Sequence, residues 1–229
     1  MTKSLNVYEW LILAFVTVGT ATGFIWSYVD HAAFKQYMVT EDGFTEWMTV
    51  LAFVIIFIVC ARRVWVLRAN RPTLFLLATG FLALLAVFVA GEEISWGQRF
   101  IGVDSPAFFE KYNAQGETNL HNLEVYGVKI NKLVFGKGVG ILLLCYLLIL
   151  VPAYHFKAGV RNFMDRLAVP IATNYQVAAY LLVLIVVQVL MASSKKGEML
   201  EFAFSFLFLL TIAYPFNRHI YSTSKENLN

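Results

Sequence analysis

Six long apolar runs separated by polar segments dominate the pattern of this chain. A helix that crosses the hydrocarbon core of a bilayer needs about 20 mainly apolar residues, and its backbone groups must find their partners within the helix. The pattern therefore predicts an all-α polytopic membrane helix bundle with about six transmembrane helices. The predicted spans are Tyr8–Tyr28, Phe44–Ala61, Thr73–Gly91, Gly138–Tyr154, Tyr175–Ala192 and Met199–Phe216.

The composition agrees with a membrane location. Hydrophobic residues make up 59% of the 229 residues and charged residues 14%, whereas a soluble domain is nearer half apolar and a quarter charged. A soluble core of this size cannot hide that apolar excess, so the lipid bilayer is the expected partner. The chain shows no internal repeat and no low-complexity linker, which favours a single integral membrane domain over residues 1–229.

The distribution of basic residues predicts the orientation of the bundle, because cytoplasmic loops of membrane proteins are rich in Lys and Arg. Alternate connections carry these residues and the opposite side is acidic, so both termini are expected in the cytoplasm. Topology alone accounts for the basic residues, and no nucleic-acid partner is indicated. The basic residues of these connections are Arg62, Arg63, Arg68, Arg71, Lys157, Arg161 and Arg166.

The longest connection, residues 92–137, follows the third span and is predicted to lie outside the cytoplasm. It is too long for a simple turn, which is typical of a segment with structure or function of its own. Ser105-Pro106 predicts a break followed by a new helix, because Pro is favoured in the first helical turn. The segment is read as an extracytoplasmic or interfacial part of the same domain.

Residues 91–99, GEEISWGQR, are the first candidate for chemistry. If the third helix continues through them, Glu92, Trp96 and Arg99 share one face. Neighbouring carboxylates at a membrane surface suit proton transfer or metal binding, so Glu92 and Glu93 are candidate catalytic residues. Trp96, Gln98 and Arg99 are candidate substrate-binding residues. The alternative is an interfacial helix end with Trp96 as an anchor.

Residues 113–122, NAQGETNLHN, are the second candidate. If a helix begins at Glu117, then Glu117, His121 and Glu124 align and could hold a divalent metal. His121 is equally a candidate general base, and a solvated loop is the plain alternative. The residues predicted to bind substrate here are Asn113, Gln115, Asn119 and Asn122.

Glu46 is the third candidate, because it lies about a turn inside the second span. A carboxylate at that depth usually faces the bundle interior, which makes Glu46 a candidate catalytic residue. Glu41 and Asp42 just before it are typical of a helix start. The connection with Lys195, Lys196, Glu198 and Glu201 predicts a solvated turn.

Residues 91–123 also carry a resemblance. The paired strings GEEISWGQRFIG and NAQGETNLHNL resemble the hallmark of an uncharacterised group of bacterial multi-pass membrane proteins. The resemblance implies the bacterial inner membrane and no assigned activity. Membrane hydrolases of the alkaline ceramidase type, which place carboxylates, Ser and His around zinc, need a late H-x-x-x-H pair. The four scattered histidines of this chain do not provide one.

Three functions stay open on the sequence alone, so the chain is not assigned as an enzyme. The first is an enzyme acting on a lipid or lipid-linked substrate at the outer membrane face, with a divalent metal as a possible cofactor. The second is a non-catalytic membrane scaffold, and the third is an ion or solute transporter. All depend on one expectation: the segment after the third span folds back, so that His121 and the amides meet the acidic helix ends.

Overall fold

The computed structural model describes residues 4–125, 127–129 and 136–223, and these are mostly helical. Six long helices form a bundle. π-helical turns interrupt the fourth at Tyr146–Leu150, between Val139–Cys145 and Val151–Phe156, and end the fifth at Val186–Leu190. The long helices are α1 (Val7–Val29), α2 (Phe44–Leu67), α3 (Thr73–Glu93), α4 (Gly136–Phe156), α5 (Asn174–Leu190) and α6 (Lys196–Ala213).

Four of the six helices, α1 to α4, are long and apolar enough to cross a membrane. The α5 helix is apolar but shorter. The α6 helix carries Lys196, Glu198 and Glu201 in its first two turns. The predicted all-α membrane architecture is therefore supported by four helices, and the count of six stays a prediction.

Shorter elements connect the long helices. The helix predicted after Ser105-Pro106 is confirmed, since Ala107–Tyr112 begins directly after Pro106. The strands β1 (Glu124–Val125) and β2 (Val128–Lys129) pair in antiparallel fashion. The remaining short helices are His31–Ala33, Phe34–Met38, Ser95–Gly97, Gln98–Ile101, Ala158–Arg166 and Arg218–Tyr221.

The α6 helix lies at the centre of the bundle and contacts α1, α2 and α5. Met199, Phe202 and Leu210 on it are fully buried. The α1 helix approaches it closely through two glycines. A Cβ atom on Gly19 would lie 2.6 Å from the Phe202 ring, and one on Gly23 would lie 2.6 Å from Cε of Met199. Small residues spaced four apart allow such close contact between membrane helices.

Contacts between helix ends show that α1 and α5 run in the same direction. The Tyr175 hydroxyl at the start of α5 donates to Glu9 near the start of α1, 2.6 Å away. At the other end of these helices, the Tyr28 hydroxyl donates to the Leu190 carbonyl. The amino ends of α2 and α6 lie near the carboxyl end of α3, because Glu93 there interacts electrostatically with Glu46 and Glu201. We call this end of the bundle, which carries Glu46, Glu93 and Glu201, the acidic end.

Candidate functional site

A left-handed turn ends α3 at the acidic end. Ser95, Trp96 and Gly97 have φ angles of 49°, 55° and 77°, a conformation that costs non-glycine residues about 1–3 kcal/mol each. The expected continuation of α3 through Arg99 is therefore wrong, and Glu92, Trp96 and Arg99 do not share one helical face. Trp96 still contacts Glu92, because its Nε1 donates a hydrogen bond of 2.8 Å to Oε1 of Glu92.

Glu92 joins the end of α3 to the second candidate segment. Its Oε2 atom accepts hydrogen bonds from the backbone N–H groups of Leu120, at 2.6 Å, and His121, at 3.1 Å. Only 5% of Glu92 is exposed, and neighbouring groups occupy both carboxylate oxygens. The segment after α3 thus folds back onto the acidic end, as expected from the sequence.

Ser95 lies at the centre of the contact between the two segments and is fully buried. Its hydroxyl donates to Oε2 of Glu117 and accepts from Nδ2 of Asn119, which is 2.7 Å away. The sequence interpretation passed over Ser95 because it lies outside any nucleophile motif. The available signal was its position inside a dense polar run directly after a long apolar helix.

Gln98 ties the same two segments together a turn further on. Its Oε1 atom accepts a hydrogen bond from the Thr118 backbone N–H, and its Nε2 atom donates one to the Ser105 hydroxyl. Each of these hydrogen bonds is 2.7 Å long. The Ser105 hydroxyl in turn donates to the Gly116 carbonyl. Gln98, predicted to bind substrate, is therefore engaged within the protein.

The amides predicted to bind substrate in residues 113–122 hold a compact turn. Nδ2 of Asn113 donates a hydrogen bond of 2.8 Å to Oδ1 of Asn119. Oδ1 of Asn113 accepts a hydrogen bond of 2.9 Å from the Gln115 backbone N–H. The side chains of Gln115 and Asn122 bond to each other. The expected helix starting at Glu117 does not form, so Glu117, His121 and Glu124 do not align on a helical face.

Arg99 bridges three carboxylates from separate parts of the chain. One guanidinium nitrogen lies 3.0 Å from both Asp42 and Glu46, and the other lies 3.2 Å from Glu117. Partial burial acts to lower the pKa of Arg99, but the carboxylates of Glu117, Asp42 and Glu46 outweigh it and raise this pKa. We call Arg99, Asp42, Glu46 and Glu117 the arginine network.

The metal expected at Glu117 and His121 finds little support. The carboxylate of Glu117 is engaged by Arg99, Ser95 and Asn119. Within residues 4–125, 127–129 and 136–223, no three His, Cys, Asp or Glu side chains form a group that could hold a metal ion. A metal at these residues stays a prediction.

A second group of carboxylates lies at the mouths of α2, α3 and α6. Glu93 is close enough to Glu201, Glu198 and Glu46 to experience electrostatic repulsion from each. His121 interacts electrostatically with Glu198, whose carboxylate also lies 3.7 Å from Nζ of Lys195. We call Glu93, Glu198 and Glu201 the helix-mouth carboxylates.

Glu93 and Glu201 differ from the arginine network in their surroundings. Neither makes a hydrogen bond or ion pair with any residue that the structure describes, and both are partly buried. The expected solvated turn at Lys195–Glu201 is instead the start of α6, with Glu201 inside the helix. A carboxylate a turn inside an apolar helix was the signal that singled out Glu46, and Glu201 carries the same signal.

A polar cleft of about 350 Å³ opens beside the arginine network. Burial, followed by the nearby charge of Glu117, raises the pKa of Glu41 in its wall. The lining of the cleft consists of Lys35, Val39, Thr40, Glu41, Gln115 and Lys195.

Comparison of the chain with family models, curated proteins and solved structures finds no match in any of the three.

Proposed function

We propose that this chain is a membrane enzyme that acts on a lipid or lipid-linked substrate at the outer face of the bacterial inner membrane. The observation that carries the proposal is the pair Glu93 and Glu201, two carboxylates at the helix mouths whose charges interact and which have no hydrogen-bond or ion-pair partner among the described residues. Ionisable groups inside membrane helices are expensive to bury and generally serve function.

Acid–base chemistry is the activity that suits this pair. Two carboxyl groups that repel each other favour sharing one proton, which gives one site both a general acid and a general base. His121 lies near Glu198 at the same mouth and supplies a second proton carrier.

The arginine network and Glu92 serve as the support of this site in the proposal. Glu92 fixes the backbone of Leu120 and His121, and Arg99 holds residues 42–46 against Glu117. The two candidate segments therefore form a rigid cover, and they hold the His121 backbone against Glu92. Preorganised support of this kind is what catalytic groups require.

The orientation within the membrane belongs to the proposal as well. Six spans with both termini in the cytoplasm would put the helix-mouth carboxylates outside the cytoplasm. Arg63 and Arg71 lie at the opposite end of the bundle, where Arg63 stacks on Tyr221 and Arg71 bonds to the His219 and Ser222 carbonyls. Basic residues at that end agree with a cytoplasmic location.

The test is lipid conversion in a defined mixture. Purified full-length protein is incubated in nanodiscs with total lipid extract from a bacterial inner membrane, and products are followed by mass spectrometry. The double variant Glu93→Gln with Glu201→Gln is expected to lose at least a hundredfold in conversion, the usual contribution of general acid–base catalysis. Glu110→Gln, at an exposed residue of the outer segment, is the matched control. Conversion by the double variant at the rate of the control would contradict the proposal.

A scaffold is the second candidate, and one observation favours it. Most polar side chains of the two candidate segments form hydrogen bonds with each other, while large apolar side chains of the same region remain exposed. A surface of that kind suits a protein partner. Co-purification of one stoichiometric partner, lost when Phe100 and Phe108 are replaced by Ser but kept in the Glu93 and Glu201 variant, would favour the scaffold. The exposed apolar residues are Trp96, Phe100, Ile101, Val103 and Phe108.

A further inference from the structure

An apolar groove of about 250 Å³ runs between α4, α5 and α6, and no residue of the arginine network lines it. The α4 and α5 helices form its walls and α6 forms its floor. Its lining is apolar except at the outer end, where Lys137 is the one charged residue among the described lining residues. The lining includes Lys137, Gly140, Leu144, Tyr180, Leu184 and Phe204.

We infer that this groove binds the acyl or prenyl chain of an anionic phospholipid-like molecule, whose phosphate contacts Lys137. Where it names the substrate class, the inference rests on the proposed function. The binding of lipid in the groove does not depend on that function.

The length of the groove matches one leaflet of a bilayer. Lys137 and Leu147 mark its extent along α4, and they are about 15 Å apart at a rise of 1.5 Å per residue. The hydrocarbon core of a bilayer is about 30 Å thick, so one leaflet occupies about 15 Å of it. A lipid chain entering from the outer face would fill the groove and end where the groove ends.

The shape of the groove depends on a missing side chain. A Cβ atom added to Gly140 meets no other atom within 4 Å, so the space beside this glycine is open. The glycine leaves room that a larger residue would fill without displacing protein atoms. An apolar opening inside a bilayer is not filled by water, because water there would lack polar partners.

Lys137 distinguishes a lipid from a second copy of the chain as the occupant. An apolar helix of another copy would bury the ammonium group without a counter-charge, which is costly. A phosphate at the head-group level supplies that counter-charge, and basic residues at this depth are a known feature of anionic lipid sites. Charge complementarity therefore favours an anionic lipid.

The groove leads toward the helix-mouth carboxylates. Phe204 in the groove floor lies one turn after Glu201 on α6. A lipid whose chain lies in the groove would hold its head group at the level of Glu201. The substrate class that follows is a lipid with a phosphate near the bond that reacts.

Lipid retention by native mass spectrometry tests the inference. Full-length protein in detergent is loaded with dioleoylphosphatidylglycerol or with dioleoylphosphatidylcholine, and the bound fraction is compared. Gly140→Leu is expected to lower retention of both lipids about tenfold by filling the groove. Lys137→Gln is expected to lower phosphatidylglycerol retention about fivefold, the effect of one lysine near an anionic lipid, with less effect on phosphatidylcholine.

The matched control is Gly80→Leu on α3, where an added Cβ also meets no atom within 4 Å. It should retain lipid as the unaltered chain does, and equal melting temperatures of the two glycine variants exclude unfolding as the cause. Equal retention by Gly140→Leu and Gly80→Leu would overturn the inference. So would a dimer that becomes a monomer in Gly140→Leu with lipid retention unchanged, since the groove would then be an interface between copies.

The conversion assay and the retention assay together separate the two proposals. Unchanged conversion in the double variant Glu93→Gln with Glu201→Gln, together with lost retention in Gly140→Leu, would reject the proposed function and keep the groove. Unchanged retention in Gly140→Leu, with conversion lost in that double variant, would reject the groove alone.

Discussion

Arg99 is a positive group that three carboxylates at the acidic end share. Asp42 and Glu46 come from the start of α2, while Glu117 comes from the folded-back segment. Without the guanidinium these carboxylates would repel one another. Each carboxylate also shields the others from water, because the side chains of Arg99 and Glu46 are less than one quarter exposed. One residue therefore holds the cover onto the bundle.

Replacing Arg99 by Gln is expected to destabilise the protein by about 2 kcal/mol. Breaking a fully buried ion pair costs about 3–5 kcal/mol, and solvent contact at Asp42 lowers that figure. The stability of Arg99→Lys should lie between those of the unaltered protein and Arg99→Gln, because one ammonium group cannot match the forked contacts of a guanidinium. Thermal unfolding in detergent measures the effect, with a decrease of about 5 °C expected for Arg99→Gln. The exposed Lys111→Gln is the control, and an equal melting temperature for both would show that the network contributes nothing to stability.

Residues that meet at the acidic end were predictable, whereas their partners were not. The sequence indicated that Glu92, Arg99 and Glu117 gather with the His121 imidazole. The structure joins Arg99 to Glu117 and Glu92 to the backbone N–H of His121. Helical periodicity assigned Arg99 to the face of Glu92, but the left-handed turn at Ser95–Gly97 redirects it to Asp42 and Glu46. Two non-glycine residues with positive φ run against local preference, so no sequence pattern indicates such a turn.

The lengths of the apolar runs predicted where the long helices lie, but they predicted the residues at which the helices end less well. The predicted end of the second span at Ala61 falls short of Leu67, where α2 ends. The helix continues because Arg63 is not left in hydrocarbon: it stacks 3.8 Å above the Tyr221 ring and donates to the Ala213 carbonyl. Those partners come from the far end of the chain, and a local pattern cannot reveal them.

The contact between α1 and α6 gives a test at the scale of helices. Gly19→Leu is expected to destabilise the bundle by about 1–3 kcal/mol, the cost of overpacking a well-packed core. A Cβ atom there would already lie 2.6 Å from the Phe202 ring, and Phe202 is fully buried and has no room to move. Gly80→Leu makes the same chemical change in open space. Unfolding in detergent compares the two, and equal stability would mean that α1 does not pack closely on α6.

At the scale of the whole molecule, the two ends of the bundle differ in charge and in construction. The acidic end is closed by a cover built from side-chain hydrogen bonds. The opposite end is closed by buried polar groups, where Asn217 donates to Asp165 and accepts from the Ile171 N–H. The sequence predicted the charge difference but not the closure, because closure depends on residues from distant connections meeting in space.

Glu93 and Glu201 can meet only if the connections before α4 and before α6 lie on the same side of the membrane. Cysteines placed at Asp104 and Ser194, both exposed, should therefore react together with a membrane-impermeant maleimide added to intact cells. Cysteines at Ala69 and Asn162, exposed near the opposite end, should react only after the membrane is permeabilised. The background chain has Cys60 and Cys145 replaced by Ala, so that each variant has one thiol. Labelling at Asp104 but not at Ser194 would mean that α4 and α5 do not both cross, and the carboxylate pair could not form in the membrane.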